Sequence, residues 1–320
     1  MKLIDIPKKY NENVYHDVID NQVENLSKVE GVISIYQIGG LSTPGISDID
    51  LVVVFKDGVQ YHKNPRVFNS GIGNYLFTHG LYGASEGQFQ DCLKYTFFHN
   101  FRLLYGKDIN LDNTTNPKNQ QILKEQIALE FLFKMYINLA VQKSYKTIKL
   151  RSLFLHIKAL PYDFEFLNIN PVEVLDLVHE GIRLRNDWLE GGVSKQDVVK
   201  WFRLFFKTYE LFLVDLFKDK SLCAPLLNFK IAPNINISNS EKLSFSKKGF
   251  VFPDAFNILD KKYFKALNRF NTFNFNIPLN LDAPDIVNSY FNYANEVGKY
   301  NKAHLPHFMT LTSSLKVYKE

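Results

Sequence analysis

Cysteine is scarce in this sequence, and long apolar runs and blocks of positive charge are missing. The 320 residues include two cysteines, Cys92 and Cys223, which lie far apart and in no spacing typical of metal ligands. A disulfide-rich secreted scaffold is therefore excluded. We expect a reduced, cytoplasmic setting for the protein.

The other two absences concern membranes and nucleic acids. No apolar run approaches the roughly 20 residues that a membrane-spanning helix needs, and residues 1–7 carry charges instead of the apolar core of a signal peptide. No Lys/Arg block resembles a nucleic-acid-binding arm. The formal net charge of +5 nevertheless suits a phosphate-carrying partner such as a nucleotide. We expect no membrane partner and no nucleic-acid-binding module, and the sequence leaves the oligomeric state open.

The overall composition is that of an ordinary globular protein, with 46 % apolar and 22 % charged residues. The length favours more than one domain, and a polar stretch at 110–119 marks a boundary. We predict an α+β fold in which a small mixed-sheet catalytic domain, 1–112, precedes a helical bundle, 113–222. The remainder, 223–320, is predicted to be a mostly helical extension with a short hairpin, and its role is open.

Hydrophobic periodicity gives the expected elements. Helices are predicted over 11–29, 89–104, 120–142, 145–160, 171–188, 260–269 and 283–300, with a further helix capped by Ser194. Strands are predicted over 32–38, 51–55, 74–80, 242–246 and 249–252, with a return strand that begins at 59–61.

One stretch, 39–54, combines a small-residue turn, two acids and an apolar run. Asp48 and Asp50 are two residues apart, so if 51–55 is a buried strand, both carboxylates leave its start on the same face. Adjacent carboxylates repel each other, and a bound divalent cation removes that cost. The pattern therefore predicts a metal site at Asp48 and Asp50.

This stretch resembles the signature of the DNA polymerase β-like nucleotidyltransferase superfamily. That signature is an apolar strand, Gly-Gly or Gly-Ser, a turn or short helix, then Asp-x-Asp and a second apolar strand. Residues 44–51, Pro-Gly-Ile-Ser-Asp-Ile-Asp-Leu, are most similar to the aminoglycoside adenylyltransferase branch. Many members follow the catalytic domain with a helical bundle, which agrees with the periodicity after residue 119.

The resemblance implies a role for each residue of the motif. The backbone of Gly39 and Gly40 and the hydroxyl of Ser42 would contact the triphosphate of an NTP such as ATP. Asp48 and Asp50 would hold two Mg²⁺ ions, which bridge the phosphates and activate an acceptor hydroxyl. The implied reaction transfers an NMP group and releases pyrophosphate. A small-molecule acceptor is expected first, with RNA or a protein hydroxyl as alternatives.

The sequence departs from the family pattern between the glycines and the acids. Seven residues separate Gly40 from Asp48, which predicts a turn where members have a short helix, and the basic residue that many members carry there is absent. Another basic cluster could instead reach the triphosphate, or could be a solvated helix face. It comprises Lys143, Lys146, Lys149 and Arg151.

The family also has a third carboxylate on a neighbouring strand, and the predicted strand over 74–80 contains no acid. Glu86 and Asp91 follow that strand and are the first candidates, His79 within it is another, and a site with two carboxylates alone is the last.

Two other classes of protein compete with this hypothesis. Metal-dependent glycosyltransferases also use Asp-x-Asp, but there the acids typically end an apolar strand, whereas here the apolar run follows them. The non-enzyme alternative is a degenerate nucleotidyltransferase-like protein that binds nucleotide or a partner without turnover, as the missing third acid would suggest.

Overall fold

The computed structural model describes residues 1–69, 71–98, 100–224, 232–251 and 261–312, which mix helices with several small sheets. The α-helices of these residues are α1 (Glu12–Ser27), α2 (Gly71–Leu76), α3 (Glu86–Tyr95), α4 (Pro117–Ser144), α5 (Leu150–Ile157), α6 (Leu160–Phe166), α7 (Val172–Trp188), α8 (Lys195–Asp219), α9 (Lys261–Phe270) and α10 (Asp285–His304). The strands are β1 (Lys2–Ile4), β2 (Val32–Ile38), β3 (Asp50–Phe55), β4 (Tyr82–Ser85), β5 (Arg102–Gly106), β6 (Thr147–Lys149), β7 (Leu222–Cys223), β8 (Ile235–Asn239), β9 (Ser244–Gly249), β10 (Asn271–Ile277), β11 (Leu279–Asn280) and β12 (Met309–Thr310).

The described residues form two compact units. The sheet unit comprises 8–120 and 289–312, and the helical unit comprises 1–7 and 121–288 apart from the gaps given above. This division differs from the predicted three parts, because residues after 288 group with the N-terminal α/β region and not with 223–288.

The sheet unit is built on a five-stranded sheet in the order β12-β4-β3-β2-β5. β2 pairs antiparallel with β3 and with β5, whereas β4 pairs parallel with β3 and with β12. β3 is thus the central strand of a mixed sheet.

β3 is central because it is apolar on both faces. Leu51, Val53 and Phe55 pack into a core that includes residues of α1, and Val52 and Val54 pack into a second core that includes residues of α3. All five side chains are fully buried. A continuous apolar run of this kind is expected for a strand covered on both sides.

β4 is held by β3 on one side and by the C-terminal part of the chain on the other. The Asn301 side-chain amide donates to the carbonyl oxygens of Gly83, at 2.9 Å, and Met309, at 3.3 Å. Phe308 packs so closely on β4 that a Cβ at Gly83 would lie 2.6 Å from the Phe308 Cβ. β12 then pairs with β4 and forms the edge of the sheet.

The helical unit combines helices with a three-stranded sheet, in the order β8-β10-β9. α7 packs against α8 and also against α5 and α6. A capping box between Ser194 and Asp197 starts α8, as predicted. Phe275 of β10 packs edge-to-face against Tyr136 of α4, with ring centroids 5.9 Å apart.

Most long periodic segments form the predicted elements. The strand over 32–38 is confirmed, the strand at 51–55 begins one residue earlier, and α1, α4, α7, α8, α9 and α10 match predicted helices within a few residues. Residue 260, where the helix at α9 was predicted to begin, lies outside the described residues.

Two predictions after β3 are wrong. Residues 59–61 form no strand, and 74–80 is not a strand either, since α2 ends at Leu76. Gly73 and Leu76, one helical turn apart, are both buried, so the burial period is three residues and not two. The strand that follows is β4, whose four residues include no large aliphatic side chain.

Other predicted elements differ in extent from the observed ones, and some strands were not predicted. The helix predicted over 89–104 ends at Tyr95, and β5 follows it. The segment 145–160 begins with a turn and β6, and α5 starts after them. One strand, β9, replaces the two predicted around 242–252. It pairs antiparallel with β10, which pairs parallel with β8 on its other side. Residue 252 lies outside the described residues. These strands carry alternating Asn and Ser, which are poor strand formers.

Candidate metal site

The segment between the glycines and the acids is a turn. The backbone N–H groups of Ile46 and Ser47 both donate to the carbonyl oxygen of Thr43, at 3.0 and 2.9 Å. This confirms the predicted turn between Gly40 and Asp48.

Two tyrosines from neighbouring helices hold this turn in place. The Tyr15 hydroxyl of α1 donates to the Ser47 carbonyl at 2.7 Å and accepts from the Gly45 N–H at 2.8 Å. The Tyr75 hydroxyl of α2 donates to the Gly45 carbonyl at 2.6 Å. The backbone that leads into the two acids is therefore fixed by buried or half-buried hydrogen bonds.

Gly39 and Gly40 leave the sheet beside Asp50, because Ile38, the last residue of β2, pairs with Asp50. Gly39 has φ of +71°, a conformation that favours glycine. Both glycines and Ser42 are exposed, and a Cβ at either glycine would meet nothing within 4 Å. A ligand can therefore approach this backbone, and its contact with a triphosphate stays a prediction.

The structure brings both predicted acids together with a histidine. Asp50 is the first residue of β3, and Asp48 lies in the loop before it. The Thr78 hydroxyl donates to Asp48 Oδ2 at 2.5 Å, and His79 Nε2 lies 2.8 Å from Asp50 Oδ1. One potential ligand atom from each of Asp48, Asp50 and His79 lies within 4.8 Å of the others.

His79 reaches the acids because of the pairing between β3 and β4. These strands run parallel, with Val52 opposite Tyr82, so the residues just before Tyr82 lie beside those just before Val52. His79 Nδ1 lies 2.7 Å from the Gly80 carbonyl oxygen, and the ring packs edge-to-face on Tyr82 with centroids 5.3 Å apart. The imidazole is thereby oriented on two sides.

The charges of the two acids alter the pKa values of their neighbours. Burial is the largest single influence on His79 and lowers its pKa, but the adjacent Asp50 carboxylate, the Gly80 carbonyl and the charge of Asp48 together outweigh it and raise the pKa. Burial and the same two carboxylates raise the pKa of Tyr82 well above its usual range. Negative charge is thus concentrated at this end of β3.

The three side chains fit a divalent cation. Asp50 Oδ1 is buried and accepts no well-aligned hydrogen bond among the described residues, although His79 Nε2 is within ion-pair distance. An unsatisfied carboxylate oxygen in a buried position is costly. Two carboxylates and one imidazole are ordinary metal ligands, and a bound ion would satisfy that oxygen.

Neither of the first candidates for a third acid joins this group. Glu86 follows Ser85, which pairs with Phe55 at the opposite end of β3 from Asp50, and its carboxylate lies 3.5 Å from the Lys107 ammonium. The Asp91 carboxylate is 2.8 Å from the Lys94 ammonium. Of the alternatives left open by the sequence, the structure places His79 beside the two acids. Recognition of β4 as the neighbouring strand would have pointed to it.

The basic cluster, for which contact with the triphosphate and a solvated helix face were both open, belongs to the helical unit. The Lys143 ammonium lies 4.0 Å from the ring centroid of Phe206, and the Lys149 ammonium lies 4.0 Å from that of Phe264. Arg151 is buried. Contact between this cluster and a triphosphate stays a prediction.

Comparison with protein-family models, with curated proteins and with solved structures gives no match. Among the helices that the structure describes, none is long and apolar enough to cross a membrane. The function is therefore inferred from the geometry of Asp48, Asp50 and His79 and from the motif around them.

Proposed function

We propose that the protein is a metal-dependent nucleotidyltransferase. It transfers a nucleoside monophosphate group from an NTP to an acceptor hydroxyl, so that a bond forms between the hydroxyl oxygen and the α-phosphorus and pyrophosphate leaves. A small molecule is the favoured acceptor because the net charge is modest and no nucleic-acid-binding module is visible in the sequence.

The observation that carries this proposal is the grouping of Asp48, Asp50 and His79 beside a glycine turn. Asp50 is the first residue of the buried central strand, and Asp48 lies in the loop just before it, where it accepts a hydrogen bond from Thr78. Gly39 and Gly40 leave β2 next to Asp50 and have open space around them. A metal site adjoining an accessible, glycine-lined backbone suits a metal-bound triphosphate.

Each part has a distinct role in the proposed reaction. Asp48 and Asp50 hold the divalent cation, with Mg²⁺ implied by the resemblance, and Gly39, Gly40 and Ser42 contact the phosphates. A bound ion supplies positive charge that offsets the phosphates and the developing pyrophosphate. The protein contributes mainly position and charge, which is why a small number of side chains suffices.

A second candidate function is nucleotide binding without turnover. Its supporting observation is that no carboxylate of the described residues joins Asp48 and Asp50 in a group of three. A degenerate site of this kind would bind a metal-bound NTP and serve as a sensor or partner-binding module.

The test combines binding and turnover for each of the four common NTPs, labelled at the α-phosphate. Binding is measured with the divalent cation present and after its removal by EDTA. Turnover is measured as pyrophosphate release and as label transferred to a panel of sugars, aminoglycosides, RNA and protein acceptors. We expect cation-dependent binding of at least one NTP and label transfer to one class of acceptor.

Asp50→Asn is the decisive variant, and Asp20→Asn, an exposed acid on α1, is its matched control. We expect Asp50→Asn to lose turnover by about two orders of magnitude or more, since the ion is held by few ligands, and Asp20→Asn to behave like the wild type. Binding without pyrophosphate release across the whole panel would favour the second candidate. Equal binding and turnover in Asp50→Asn and the wild type would place the site elsewhere.

A further inference from the structure

We infer that His79 is the third metal ligand and that this site takes Mn²⁺ in preference to Mg²⁺. The inference rests on the proposed function for the presence of an ion at Asp48 and Asp50. It adds the identity of the ion and the residue that selects it.

The position of His79 supports a role as ligand. Its Nε2 atom lies 2.8 Å from Asp50 Oδ1, an oxygen that has no well-aligned hydrogen-bond donor among the described residues. The side chains of His79 and Asp50 are about equally exposed, at 32 % and 31 %, so an ion between them would keep access to solvent and substrate.

The second ring nitrogen fixes the tautomer that a ligand needs. His79 Nδ1 lies 2.7 Å from the Gly80 carbonyl oxygen, and because a carbonyl oxygen can only accept, Nδ1 carries the proton. Nε2 is then the ring nitrogen that faces Asp50, and an ion bound there takes the place of its proton. A metal-binding histidine typically donates its other N–H to a carbonyl or carboxylate in this way.

The donor set favours manganese over magnesium. Mg²⁺ prefers oxygen ligands in near-ideal octahedral geometry and gives up its water reluctantly. Mn²⁺ accepts carboxylate and phosphate oxygens in the same geometry, and imidazole is a better ligand for first-row transition ions than for Mg²⁺. A nitrogen ligand in place of a third carboxylate therefore shifts selectivity towards Mn²⁺.

The experiment measures metal binding directly, with manganese itself as the probe. Loss of the free Mn²⁺ signal in electron paramagnetic resonance gives the affinity, and pulsed spectra report coupling to the ¹⁴N nucleus of a bound imidazole. Titrations are run on the full chain with and without a non-hydrolysable NTP analogue, and Mg²⁺ is added as competitor.

Variants at position 79 distinguish the loss of a metal ligand from the loss of the folded structure. We expect the wild type to bind Mn²⁺ at least about tenfold more tightly than Mg²⁺ and to show ¹⁴N coupling. His79→Ala and His79→Gln should lose the coupling and weaken Mn²⁺ binding by about tenfold or more, with a smaller effect on Mg²⁺. His79→Asp should restore binding with a lower preference for Mn²⁺. His16→Ala, at an exposed histidine on α1, is the control, and circular dichroism verifies the fold of each variant.

The outcomes separate this inference from the proposed function. Mn²⁺ binding without ¹⁴N coupling, or equal Mn²⁺ affinity in His79→Ala and the wild type, would overturn the inference while Mg²⁺-dependent turnover still supported a nucleotidyltransferase. The absence of Mn²⁺ binding to the wild type would overturn it as well. A nitrogen-coupled Mn²⁺ site in a protein that neither binds nor turns over any NTP would uphold the inference and contradict the proposed function.

Discussion

β3 and β4 are neighbours in one sheet and each brings part of the candidate site, but they are specified in different ways. β3 is a run of five fully buried apolar residues after Asp50, and it is visible in the local sequence. β4, Tyr-Gly-Ala-Ser, has little apolar surface of its own. Its contacts include Asn301, which is 218 residues away from Gly83 in the chain.

This difference separates the two halves of the site. The acids are positioned by a strand that its own sequence specifies, whereas His79 is positioned by a strand that depends on residues 301–310. The metal site should therefore respond to changes far from it in sequence, provided that they disturb β4.

The largest effect is expected at the contact between Gly83 and Phe308. In Gly83→Ala, the new Cβ would lie 2.6 Å from the Phe308 Cβ and 2.7 Å from its Cγ, so one of the packed segments must move. We expect a loss of about 3 kcal/mol in the free energy of unfolding, measured by urea denaturation. Gly40→Ala, where a Cβ meets nothing within 4 Å, is the matched control and should change stability by less than about 0.5 kcal/mol. Equal stability of the two variants would show that β4 does not depend on the C-terminal segment.

A smaller effect is expected for Asn301→Ala. The change removes hydrogen bonds to the carbonyl oxygens of Gly83 and Met309 and leaves buried acceptors without this donor. We expect a loss of about 2 kcal/mol in urea denaturation, together with weaker Mn²⁺ binding because the segment that carries His79 loosens. Asn292→Ala, at an exposed position of α10, should leave both quantities unchanged. If both variants bind Mn²⁺ like the wild type, the position of His79 does not depend on these contacts.

The same contrast explains what the sequence could and could not predict. Three features could be predicted because each depends on residues close together in the sequence. They are the strand over 32–38, the short turn and the pair of acids. The strand predicted over 74–80 is wrong because Tyr75, Leu76 and Phe77 are consecutive, and a short apolar run of this kind fits a helix or a strand equally well. The pairing of β4 with β12 could not be predicted, since neither strand has a strong pattern and the pairing is between segments over 200 residues apart. From the sequence alone, His79 is therefore one alternative among several.

A test of the β3 side of the comparison is Tyr15→Phe. The change removes a hydroxyl that donates to the Ser47 carbonyl and accepts from the Gly45 N–H, but it leaves the buried ring in place. We expect a loss of about 1 kcal/mol in the free energy of unfolding, smaller than that for Asn301→Ala because β3 retains its apolar packing. Tyr162→Phe, at an exposed tyrosine of α6, is the control and should have no measurable effect. If Tyr15→Phe lost more free energy of unfolding than Gly83→Ala, then β3 and not β4 would be the strand that depends more on contacts outside it.

The smallest effect on metal binding is expected at Glu86, the acid that follows β4. Ser85, just before it, pairs with Phe55 at the far end of β3, and the Glu86 carboxylate faces Lys107 at 3.5 Å. An ion pair at the surface with one partly buried partner contributes little to stability. Glu86→Gln should therefore change Mn²⁺ and Mg²⁺ affinity by less than about twofold, since charges so far apart at the surface are largely screened. Asp50→Asn in the same titration should lose binding. A tenfold loss in Glu86→Gln would mean that this carboxylate approaches the ion, and that β4 contributes an acid from one end and a histidine from the other.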